Sequence, residues 1–266
     1  MTDPAQARDF FGKALKAYQE QRFDAAHKHC QKALKADPAF FDALHLHGIL
    51  LLNRQDWRAA AAALKRASEL QPARAELHAQ HALALQQAGR LDEARTAFER
   101  ALALQPEQAP WLCQLGKVLV DQERFDEAYE KFEAARRLAP ADPAVHYFLG
   151  QTEYCRGNHS AAVAFLETAR RLDPANAFTG VVLGRAHTAL NEQDKAIDAY
   201  RRAIDVDAHC IGAWLNLGNL LGDLGRADEA LTTFEEGVRH NPDAMLLLCA
   251  LAEDYERANR LDEAEA

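Results

Sequence analysis

Alanine recurs at Ala26, Ala60, Ala94, Ala128, Ala162, Ala196, Ala230 and Ala264, eight times at a fixed spacing of 34. A period of that length means one supersecondary unit copied along the chain, each copy burying its apolar face against its neighbours. Other columns keep the same phase. Proline, which cannot continue a helix, stands at Pro38, Pro72, Pro106, Pro140, Pro174 and Pro242, with Ala208 in the one vacancy. Small residues run through Ala14, Gly48, Ala82, Gly116, Gly150, Gly184, Gly218 and Ala252, and through Ala33, Ala67, Ala101, Ala135, Ala169, Ala203 and Gly237. Columns of small residues mark close approach of two helices, a packing requirement. Function is therefore sought in the positions that vary.

Residues 109–142 serve as the type unit. Leu112, Leu115, Gly116 and Leu119 fall at i, i+3, i+4 and i+7 and share one face of a first helix. Ala128, Phe132 and Ala135 share a face of a second, which Pro140 ends. The N-cap of the second helix is expected at Asp24, Arg58, Asp92, Asp126, Ser160, Asp194, Asp228 and Asp262, where only Arg58 lacks a capping side chain. Each unit thus reads as a helical hairpin. One hairpin cannot offset its own ordering entropy, so stability accumulates along the stack.

Phase, small residues and closing proline together resemble the tetratricopeptide repeat. The resemblance covers the chain from about Ala7 to its last residue and implies an all-α, right-handed α-solenoid. It gives units at 7–40, 41–74, 75–108, 109–142, 143–176, 177–210 and 211–244, with a partial one at 245–266, in a single domain. The fold serves many unrelated partners, so the resemblance carries little about function.

Composition agrees with a soluble helical protein: 48% hydrophobic, 8% aromatic and 27% charged. The start lacks the apolar core of a signal peptide, no stretch reaches the length of a membrane span, and a cytoplasmic location is expected. Five scattered cysteines, Cys30, Cys113, Cys155, Cys210 and Cys249, suit reduced thiols. A net charge of −9 argues against nucleic acid as partner. The pairs Arg136-Arg137, Arg170-Arg171 and Arg201-Arg202 are read as cations late in the second helices, complementing the negative end of the helix dipole.

Catalytic signatures are lacking. The chain holds no G-x-x-x-x-G-K-[ST], no H-E-x-x-H and no G-x-S-x-G, so no enzymatic activity and no cofactor is expected of it. His47 and His81 share the core-facing column of Leu115, and His78 and His146 that of Leu112. Partly buried, hydrogen-bonded histidines are expected there, and His27, His29 and Cys30 are read the same way. No metal site is assigned.

In tetratricopeptide repeats the first helices line a concave groove, and the resemblance implies that positions 2, 5, 6, 9, 12 and 13 point into it. Position 9 reads Leu15, Ile49, Leu83, Lys117, Gln151, Arg185, Asn219 and Glu253, turning from apolar to hydrogen-bond donors midway. Tyr147, Phe148 and Tyr154, with Phe178, add aromatic rings. Rings supply buried area and donors fix register, as peptide binding requires. The expected groove residues are Gln114, Lys117, Tyr147, Gln151, Tyr154, Arg185, Asn216 and Asn219. A protein or peptide ligand is the expected partner; oligomeric state is left open by the sequence.

The carboxylate clamp by which some of these domains hold chaperone C-termini is not matched, since its places in the first three units hold Phe11, Leu15, Leu46, Glu76 and Gln80. An asparagine ladder at position 6, a habit of O-linked N-acetylglucosamine transferases, is matched only at Asn216. Asp42–Gly48 and Leu251–Ala264 are similar to repeat arms that precede a sulfotransferase domain in bacterial proteins and, less closely, to arms of glycosyltransferases. That resemblance implies an alternative in which the chain recruits substrate for a catalytic domain. Asp262–Ala266 read as a second helix cut off in its first turn, so the natural chain is expected to continue. Finally, residues 177–210 depart most from the pattern: Gly180 replaces Leu112, Gln193 an apolar residue, and Ala208 the closing proline. A helical glycine costs about 1 kcal/mol, so the stack is expected to be softest there.

Overall fold

The computed structural model describes residues 2–257, and among these every regular element is a helix. Among the described residues the first fourteen of fifteen helices pair into hairpins: α1 (Pro4–Gln19) with α2 (Phe23–Ala36), α3 (Phe41–Asn53) with α4 (Trp57–Leu70), α5 (Ala75–Gln87) with α6 (Leu91–Leu104), and α7 (Ala109–Asp121) with α8 (Phe125–Leu138). These form a first compact body, Met1–Leu138. The second, Ala139–Ala266, holds α9 (Pro143–Cys155), α10 (His159–Leu172), α11 (Ala177–Ala189), α12 (Gln193–Val206), α13 (Ile211–Asp223), α14 (Ala227–His240) and α15 (Met245–Arg257). The architecture is an all-α solenoid of helical hairpins. The helix expected to begin near Asp262 lies outside the described residues.

Inside five of the hairpins one large side chain of the second helix sits on a glycine of the first. Leu64 covers Gly48, Phe132 covers Gly116, Leu166 covers Gly150, Tyr200 covers Gly184 and Phe234 covers Gly218. A methyl carbon on Gly218 would lie 2.4 Å from the Phe234 ring, and one on Gly116 would lie 2.6 Å from that of Phe132. The small column is thus the imprint of its partner, as the spacing predicts. Phe132 and Leu166 are wholly shielded from solvent.

The turn inside each hairpin also repeats every 34 residues. Gln21, Gln55, Gly89, Glu123, Gly157, Asn191 and Gly225 all have φ between 57° and 81°. The next residue's N–H returns to a carbonyl of the first helix, as in Arg22 to Ala17 at 2.8 Å and Arg226 to Leu221 at 2.9 Å. This is a Schellman close, which satisfies carbonyls left over at the helix end. Only three of the seven residues are glycine; the others accept the left-handed conformation against its steric cost.

The second helices begin two residues earlier than the sequence suggests. Asp24, Asp92, Asp126, Asp194 and Asp228 therefore stand second in their helices, not at the cap. They still lie in the first turn, where negative charge opposes the dipole. The cap position itself is often arginine, closed by a carboxylate three residues on: Arg90 with Glu93, Arg124 with Glu127 and Arg226 with Glu229, two hydrogen bonds each. In α12 the signs are reversed, with Lys195 donating to Glu192 at 2.8 Å. The hairpin expected to lack a cap has a good one. Asp56, just before α4, accepts from the Ala59 N–H. A second correction concerns Arg201 and Arg202, which precede the last turn of α12; Arg201 reaches Glu229, 3.7 Å away.

Hairpin α11–α12 is the one expected to be softest. Gly180 lies inside α11, where a methyl group would come within 3.0 Å of Ala203 and 3.1 Å of the Ala199 carbonyl. A side chain there would need α12 to give way by a few tenths of an ångström, and glycine avoids this at a cost in helix propensity. Amides of residues 177–190 are expected to exchange faster than those of α9 in native-state hydrogen exchange. Finding them among the slowest in the protein would contradict this.

Candidate functional site

The histidines are explained by packing. His78 bonds the Pro72 carbonyl at 3.0 Å, His146 bonds that of Pro140 at 2.8 Å, and Trp214, in the same column, donates its indole N–H to Ala208 at 2.9 Å. A ring nitrogen at this position reaches back six residues to hold the preceding turn. His47 and His81 are partly buried, and loss of hydration drives both down to about 4. The expectation of a hydrogen bond fails for His47, whose Nε2 is buried without a partner; the ring instead stacks on His27 with centroids 4.8 Å apart. Burial pushes the Cys30 thiol up to about 12, so it stays protonated and is a poor nucleophile. Among the described residues no group of three potential ligands is placed to hold a metal ion.

The eight expected groove residues fall on both bodies. Gln114 and Lys117 lie on α7 in the first, both partly buried. The other six lie in the second, on α9, α11 and α13. There the helices bring together a compact cluster. The Arg185 guanidinium lies over the Tyr154 ring, 4.6 Å from its centroid, a cation–π arrangement. Its charge also acts on Tyr147, Cys155 and Tyr200. Burial raises the pKa of the Tyr147 phenol, and Arg185 opposes that rise.

Tyr147 and Tyr154 are only half available. Both pack on the cluster of Ala162, Leu166, Val182, Leu183, Ala186 and Ala199, and Tyr147 meets Phe148 edge to face at 5.2 Å. Arg185, by contrast, is exposed and forms no ion pair among the described residues. Asn219 is exposed and Gln151 partly so. Asn216 differs from the donor that the sequence suggests, because its amide is turned onto its own helix, donating to the Gly212 carbonyl at 2.6 Å. Phe178, 65% exposed, is a free aromatic surface at the start of α11.

A cleft of about 560 Å³ opens elsewhere, between α10, α11 and α12. None of the eight residues lines it. Gly180, Leu183 and His187 form its α11 wall, and at 100° per residue Arg185 points to the other side of that helix. The sequence reading missed this cleft. Its signal was present in the column His78, His146, Trp214, where Gly180 stands alone without a side chain.

Comparison with known proteins agrees with this architecture. Tetratricopeptide repeat models match residues 75–118, 113–177 and 211–254, and a TPR repeat model matches 184–225, together well over half the chain. The protein bimA of Emericella nidulans is 36% identical over 63 residues, which cover 24% of this chain and 8% of that protein. The chain thus matches under a tenth of that relative's length. The crystal structure of MamA is 26% identical, with a TM-score of 0.55 over 59% of this chain and 92% of MamA. A tetratricopeptide repeat protein of Parabacteroides merdae, 11% identical, superposes with a TM-score of 0.74 over 94% of this chain and 99% of its own. With hairpins, small-residue columns and turns recurring in one phase, the chain belongs to the tetratricopeptide repeat family of protein-interaction scaffolds.

Proposed function

We propose that this scaffold binds an extended peptide segment of a partner protein along the α9–α11–α13 face of its second body. The observation that carries the reading is Arg185, an exposed cation lying over the Tyr154 ring with no acidic partner among the described residues. A cation already resting on a ring has N–H groups to offer an incoming carboxylate or carbonyl, and loses less side-chain entropy on binding than a free one. Gln151 and Asn219 occupy the same register on the neighbouring first helices and offer further donors, while Phe178 offers apolar area.

The test begins with peptides selected on the intact protein from a random display library. Tyr154→Ala combined with Arg185→Ala is expected to weaken the selected peptide by about 1–3 kcal/mol, with helicity by circular dichroism unchanged. Arg185→Ala alone separates recognition from packing, because that side chain is exposed. Affinity equal to wild type in both variants would remove this face from consideration.

A further inference from the structure

We propose that the cleft beside Gly180 is a second binding site, distinct from the α9–α11–α13 face, and that it receives the indole side chain of a tryptophan carried by a partner polypeptide. The next hairpin supplies the template. At the position equivalent to Gly180, Trp214 is buried, donates its indole N–H to the Ala208 carbonyl at 2.9 Å, and stacks on His240 with centroids 5.8 Å apart and planes 15° apart. It leans on Gly237, where a methyl carbon would lie 3.1 Å from its Cβ and Cγ.

One repeat earlier the ring is missing; the backbone carbonyl that receives its N–H is retained, while the two side-chain positions around it differ. Pro174 stands for Ala208, Ala203 for Gly237 and Val206 for His240, and all three line the cleft. The Pro174 carbonyl has no ring N–H reaching it from residue 180, because glycine has none to offer. Nor can α11 readily supply one. Even a methyl group at 180 meets Ala203 at 3.0 Å and the Ala199 carbonyl at 3.1 Å, so a side chain rooted there is crowded at its first atom. A ring filling this place would therefore come from outside α11.

The rim suits a neutral ring attached to a polar backbone. It carries three acids, Glu167, Asp198 and Asp205, and three bases, Arg170, Lys195 and Arg202. Glu167 accepts from Arg170 at 2.9 Å and Lys195 donates to Glu192 at 2.8 Å, so these charges are already engaged. A balanced rim exerts no net pull on an ion, whereas its polar groups can hydrogen-bond a peptide's amides. A volume of about 560 Å³ also leaves room beside the ring for the chain that bears it.

The test uses N-acetyl-tryptophanamide at millimolar concentration with the full chain, read by amide chemical shifts. Saturable shifts confined to residues around Gly180, His187, Ala203 and Val206 are expected. N-acetyl-phenylalaninamide, which lacks the ring N–H, should bind about fivefold more weakly. Val206→Glu places a carboxylate at the exposed rim without touching the core and should abolish the shifts, while Val206→His restores a stacking ring and should tighten binding. No saturable shift with wild type would overturn the proposal, as would shifts indifferent to Val206→Glu. Free indole binding as tightly as the amide would overturn the assignment to a polypeptide side chain.

Discussion

Phe132→Ala is expected to lower stability by about 3–5 kcal/mol in urea denaturation, the largest effect of any single substitution considered. Phe132 is wholly buried, and the residue facing it is Gly116, which has no side chain with which to fill the space left behind. Collapse of the two helices would be needed to remove the void, which close packing of the interior resists. The cost should therefore sit at the upper end of the range. Gly116→Val added to Phe132→Ala should recover part of the loss, although Gly116→Val alone forces a side chain into the ring and destabilises. Additive costs in that double-mutant cycle would show that the two positions are not packed together.

The second large effect is a loss of stability in mild acid. His47 and His81 are held at about 4 in the folded protein, against 6.5 for the free side chain. Loss of hydration is the main cause for both. Around His47, His27 adds to the depression and Asp56 opposes it; around His81, Lys65, His78 and Arg90 add to it and Glu93 opposes it. The fold thus favours the neutral rings. Their contribution is complete above the unfolded pKa near 6.5 and is lost as pH falls toward 4. With partial solvent access allowed for, each should contribute about 1–2 kcal/mol across that window. Denaturation midpoints at pH 7 and pH 4.5 measure it. His81→Leu, which installs the residue found at Leu115 and Leu149, should flatten the pH dependence and leave neutral stability equal or higher. An unchanged acid response in His47→Leu/His81→Leu would place the sensitivity elsewhere.

These two effects were legible in the sequence to different degrees. The pairing of Phe132 with Gly116 follows from columns of constant phase, because a 34-residue period fixes which residues meet. The cap positions were misplaced by two residues because Asp at the second position of a helix opposes the dipole much as a capping Asp does, and composition alone does not separate the two. The left-handed turn column escaped notice because Gln21, Gln55, Glu123 and Asn191 occupy it beside the three glycines. Schellman geometry there is set by backbone hydrogen bonding, which tolerates a side chain at modest cost.

The candidate site shows the same division. Tyr154 and Arg185 could be placed on one face from their register, but their stacking, 4.6 Å from guanidinium to ring centroid, depends on how α9 and α11 pack. Asn216 could not be told from a free donor, since its bond to Gly212 is a choice of rotamer. Gly180 was visible only as a defect in a helix; its meaning as a vacancy required seeing what Trp214 does in the equivalent place.

The most direct measurement of the central claim is the footprint of a selected peptide on the intact protein, mapped by amide chemical shifts or by cross-linking from the peptide backbone. Contacts are expected on Gln151, Tyr154, Arg185 and Asn219, with loss of the footprint in Arg185→Ala. A peptide that binds tightly while leaving those four positions unperturbed would contradict it.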